Sequence, residues 1–112
     1  MTTYDDIYEA FVEYAALRDD SSWWDLWILC QRRMGALVKT RAKKLKTPLS
    51  REDMESIILD STILAIRKLK TAPDINKNKI SSIFWFSNLS AFRDYNRHMK
   101  KWQRLSTISD KM

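Results

Sequence analysis

The sequence predicts an all-α fold, a compact bundle of about four helices in a single domain. Three observations predict it. One Gly and two Pro in 112 residues leave little turn chemistry for hairpins. Leu, Lys, Arg, Met, Ala and Glu, which are good helix formers, fill long uninterrupted stretches. Apolar residues recur at the three-to-four spacing of helix faces rather than alternating. With 45% hydrophobic residues the chain can bury one core, and it is too short for two.

The first helix is expected from Tyr4 to Arg18. Thr3 is its cap, Asp5 and Asp6 lie in its first turn, and Ile7, Phe11, Tyr14 and Ala15 share one side. The second is expected to open with Ser22 as cap, paired with Asp25 three residues on, and to continue to about Lys46 before Pro48. Leu26, Trp27, Cys30, Met34, Leu37, Val38 and Leu45 form its apolar face. Arg32, Lys39, Lys43 and Lys46 form a basic ridge opposite. Gly35 weakens it slightly.

Ser50 caps a third helix that runs to about Lys70, with Thr71, Ala72 and Pro73 as its stop. Met54, Ile57, Ile58, Ala65 and Leu69 make one apolar face; Leu59, Ile63 and Ile66 make a second, with Ser56, Asp60 and Arg67 as the polar sector. Two readings are open: the second face docks another protein, or this helix is central and wrapped by the others. Asp74 to Lys79 reads as a polar loop. The fourth helix follows from about Ser82 to Arg104, and 105–112 reads as a flexible tail.

On the fourth helix Trp85, Leu89, Phe92, Tyr95, Met99 and Trp102 form a core-facing stripe. Arg93, Arg97, Lys100, Lys101 and Arg104 lie opposite, and Phe86 projects among these cations. Cations neutralise phosphates, and a ring among them can stack on an unpaired base. Nucleic-acid binding is therefore the expected chemistry.

Charge is divided along the chain. Up to Cys30 seven acidic residues face only Arg18, whereas no acidic residue occurs between Arg32 and Arg51, and the formal net charge is +6. One end suits a polyanion and the other a different partner. With a lone Cys30 no intramolecular disulfide or thiolate zinc site is expected. Cys30 reads as a small core residue and His98 as a surface or phosphate-contacting one. Glu52, Asp53 and Glu55 cluster at a helix start, where the macrodipole accounts for them. No Gly-rich phosphate loop or nucleophile-base pair is recognisable, so neither an enzyme nor a cofactor or metal is expected. Neither a signal peptide nor a membrane span is expected.

The order of parts is a basic helix, then Arg51-Glu52-Asp53-Met54 opening an apolar helix, then a polar loop, then Asp94-Tyr95-Asn96-Arg97 in an aromatic-basic helix. From about Trp24 to Arg104, this resembles region 2 of bacterial RNA polymerase sigma factors. It looks most like the region-2-only late-transcription sigma proteins of T-even-type phages. The resemblance implies that the third helix, through Asp53, Ser56, Leu59, Asp60, Ile63 and Arg67, docks on the β′ clamp coiled coil of core RNA polymerase. It implies that Phe84, Trp85 and Phe86 trap unstacked non-template bases of the −10 promoter element. Arg93, Asn96, Arg97, Lys100, Lys101 and Arg104, with Lys39 and Lys43, would contact phosphates or base edges. A second protein would supply upstream promoter contacts, in a bacterial or phage-infected cytoplasm. Ser56 stands where the family usually has Gln, and Ile57 where an acid is common. Two other readings stay open: a helical interaction or virion protein that does not read DNA, and a general single-strand binder.

Overall fold

Short-range hydrogen bonds to side chains open each of the four helices in the computed structural model. It describes residues 2–45, 48–72 and 74–111, with side chains through Lys101. The first helix, α1, is Tyr4–Leu17. Thr3 accepts from the Asp6 amide at 3.2 Å, and the Asp6 carboxylate accepts from the Thr3 amide at 2.9 Å. Arg18 closes α1 in a left-handed conformation, φ 50°, its amide donating to the Tyr14 carbonyl at 2.8 Å. The expected helix thus ends one residue early.

The second helix, α2, is Asp20–Ala42, and it corrects the expected start at Ser22. Asp19 is the cap, accepting the Ser22 amide at 2.8 Å and the Ser22 hydroxyl at 2.6 Å. Ser22 is buried inside the first turn, so a carboxylate three residues earlier took the capping role from it. The two capping carboxylates, Asp6 and Asp19, are held below the ordinary 3.8, chiefly by their hydrogen bonds to Thr3 and Ser22. Their stabilisation is present above that value and is lost as pH falls through the lowered ones. Lys43 closes α2, short of the expected Lys46, which lies outside the described residues.

The third helix, α3, is Arg51–Thr71, with the Ser50 hydroxyl accepting from the Asp53 amide at 3.1 Å as expected. The fourth, α4, is Lys77–Lys111, beginning before Ser82 and continuing past Arg104. The Asn76 side chain accepts the Lys79 amide at 2.9 Å, so a residue expected in the loop is the cap.

α3 packs most extensively, on α4 and on α2. Its central place settles much of the double apolar face: Ile57, Ala65, Ile66 and Leu69 are buried, while Leu59 stays 45% exposed. Ser61 and Thr62 are buried there too. Each hydroxyl donates back to the carbonyl four residues earlier, at 2.6 and 2.7 Å, which lets polar residues enter the core satisfied. The rest of the core comes from Ile7, Leu26, Cys30, Met34, Val38, Ile80, Phe84, Ala91 and Phe92.

Cys30 and Gly35 mark two testable points in α2. Burial pushes the Cys30 thiol from the ordinary 9.0 up to about 12. Between those values the unfolded chain releases the proton and the folded chain keeps it, so this group lowers stability as pH rises through the window. A thiol reagent at about pH 8 should label the folded protein far more slowly than the urea-unfolded chain; equal rates would place Cys30 outside the core. A Cβ on Gly35 would meet only Ile58 Cδ1, at an ordinary 3.9 Å. Gly35→Ala is therefore expected to raise stability by about 0.5–1 kcal/mol, read as a higher urea midpoint.

Candidate nucleic-acid interface

Three consecutive rings near the start of α4 leave the helix about 100° apart, so they cannot share one surface. Phe84 turns inward. It is fully buried, with the Tyr4 ring edge-on at 5.6 Å and an interplanar angle of 86°. The expectation that Phe84 traps a base is corrected by this burial. Trp85 and Phe86 are 53% and 57% exposed. Trp85 therefore also leaves the core-facing stripe to which its spacing had assigned it.

Trp85 borders α2, where the Arg41 guanidinium lies 4.8 Å from the ring centroid. The same guanidinium lies 5.6 Å from the Phe92 ring, and its Nε donates to Asn88 Oδ1 at 2.8 Å. Asn88 is only 2% exposed, and its amide reaches toward Met34 Sδ at 4.0 Å. A charged shelf thus underlies Trp85, anchored by a buried amide. Arg41 falls in the stretch between Arg32 and Arg51 that lacks acidic residues, and its role depends on how closely α2 and α4 approach. Arg41→Ala should cost about 1–3 kcal/mol, because the Asn88 carbonyl loses its donor inside the protein. Thermal melting would show the loss, and an unchanged midpoint would mean that the bond is dispensable.

Phe86, Arg93, Arg97 and Lys100 fall within about 60° on the exposed side of α4. Asn96 and Lys101, exposed as well, flank that sector. Arg104 lies beyond the described side chains. Lys39 and Lys43 are exposed but sit about 200° around α2 from Arg41, on a face other than the Trp85 shelf. The cations of α4 share the exposed face of Phe86, following it two to four turns further along the helix; Lys39 and Lys43 share no face with the rings.

The other predicted surface is one stripe of α3. Ser56, Leu59, Asp60 and Arg67 are exposed, Ile63 is half-buried between them, and their spacing follows successive turns. Asp53 is tied down, its carboxylate accepting from the Tyr95 hydroxyl at 3.0 Å. Burial and this bond both raise the Tyr95 phenol, keeping it a neutral donor that joins the start of α3 to α4. No described helix is long and apolar enough to cross a membrane. Among the described residues no three His, Cys, Asp or Glu side chains gather in a way that could hold a metal ion. No family model, curated protein or solved structure matches the chain.

Proposed function

We propose that this chain is a sigma-like transcription initiation factor that binds core RNA polymerase and engages partly single-stranded promoter DNA. The observation that carries the reading is the exposed pair Trp85 and Phe86, with Arg41 beneath Trp85 and with Arg93, Arg97 and Lys100 continuing the Phe86 face along α4. Rings held among cations suit unpaired bases joined by phosphates, since stacking and charge neutralisation act on the same strand. The exposed stripe of α3 supports polymerase docking: Leu59 and Ile63 are apolar anchors flanked by Asp60 and Arg67. The test is to pull down core polymerase with the purified protein and then reconstitute transcription from a promoter. Co-purification with promoter-dependent RNA synthesis is the expected result, and neither occurring would overturn the reading.

The acidic face of α1 and early α2 favours a second reading, a helical interaction protein that does not read DNA. Salt dependence separates the two. If Arg93, Arg97, Lys100 and Lys101 each neutralise one phosphate, affinity for a single strand falls about 50-fold between 50 and 200 mM salt. Absent binding, or a flat response, favours the interaction protein. Equal competition by unrelated oligonucleotides would instead identify a general single-strand binder.

A further inference from the structure

Beyond Tyr95, α4 has exposed side chains all the way round: Asn96, Arg97, His98, Met99, Lys100 and Lys101. Thirty-five residues of helix span about 52 Å at the usual rise, and the molecule measures 59 × 24 × 23 Å, so the later part of α4 projects from the bundle. A projecting stretch of this kind gains little from propensity alone and is stabilised by a surface to lie on. It is also two-sided. Met99, 37% exposed, lies on the Tyr95 side, while Arg97, Lys100 and Lys101 lie opposite.

The same chain carries a surface of opposite character. A groove of about 530 Å³ runs between α1 and α2, with Ala10, Ile28 and Leu29 as its apolar lining and Glu9, Glu13 and Asp25 along it. Ile28 is 41% exposed there. Among the described residues, neither Glu13 nor Asp25 takes part in an ion pair, unlike Asp5, which meets Lys77 at 2.6 Å. At the Arg32 end the groove meets a second hollow of about 510 Å³ that holds Arg32 and Arg33 beside Asp6, so the acidic lining belongs to the Asp25 end. From Asp25 to Arg32 is about 10 Å of helix, the length of two turns, and this is the stretch that faces Glu9 and Glu13.

We propose that the projecting basic part of α4 lies in the acidic α1–α2 groove of a second copy, the two copies exchanging it reciprocally. Charge complementarity selects this occupant, since one chain supplies both the unpaired carboxylates and the unhoused cations. The segment cannot fill its own groove, because α4 is one continuous helix leading away from the bundle. Reciprocal exchange about a two-fold axis also closes, whereas one-way docking would extend into a filament. On the nucleic-acid reading of α4, Arg97 and Lys100 serve both surfaces, so a polyanion and the second copy compete for them.

The test is oligomeric state in the absence of nucleic acid, followed by sedimentation against concentration and salt. A monomer–dimer equilibrium that added salt shifts to monomer is expected. Glu13→Lys with Asp25→Lys should weaken it about tenfold or more, and Lys100→Glu with Lys101→Glu should do the same. Mixing the two double variants should restore the dimer, because each altered groove then meets an altered segment of opposite sign. All four positions are exposed, and unchanged far-UV circular dichroism and melting would show that each variant folds. A monomer at every concentration, a dimer indifferent to both reversals, or a mixture that stays monomeric would each overturn the proposal. None of these outcomes depends on whether the chain binds DNA or polymerase.

Discussion

Phe84→Ala is expected to remove about 3–5 kcal/mol of folding stability. Phe84 is the largest fully buried side chain of the bundle, meeting the Tyr4 ring edge-on, so its truncation leaves a cavity where α1 packs on α4. A domain of this size is stable by about 5–15 kcal/mol, so the loss approaches the whole at its lower end. Thermal unfolding followed by circular dichroism should fall by about 15–30 °C. A midpoint within a few degrees of the parent would return Phe84 to the surface and with it the idea of three base-trapping rings. Phe84→Leu keeps most of the apolar volume and should leave single-strand binding intact, because the ring faces Tyr4 rather than solvent.

How far the sequence could be read divides along the range of the interactions involved. The caps Thr3 and Ser50 were legible because their hydrogen bonds span three residues and need no other element. Asp19 was missed although its bond is equally local. Two oxygens three residues apart both qualify, and the choice turns on Ser22 being buried. Asn76 was missed because the polar stretch after it reads as loop, whereas Lys77 and Asn78 are simply the exposed first turn of α4. The helix wheel placed Phe86 with Arg93 and Arg97, and the structure keeps all three exposed. The wheel also puts Phe84 on the side of Tyr95. The family likeness treated the aromatic run as one unit, and a helix cannot present three successive side chains together. Arg41 was beyond reach: its partners Trp85, Asn88 and Phe92 lie more than forty positions away and meet it only through the packing of α2 on α4.

Removing the exposed rings should have the opposite signature to removing the buried one. Each base-ring stack is worth about 1–3 kcal/mol, so Phe86→Ala is expected to weaken single-strand affinity about 5- to 150-fold. Trp85→Ala should act over the same range. The two rings are chain neighbours that would meet successive bases, so their effects need not multiply in the double variant. Stability should change little, since Phe86 is 57% exposed and fills no core space. Duplex DNA supplies the control: paired bases offer no free face for these rings, so the phosphate-based affinity from Arg93, Arg97, Lys100 and Lys101 should persist in the double alanine variant. Loss on single strands with retention on duplex would locate recognition at the rings. Equal losses on both would instead mean that the substitutions disturb the charged face of α4, and parent-like binding to single strands would remove Trp85 and Phe86 from the interface.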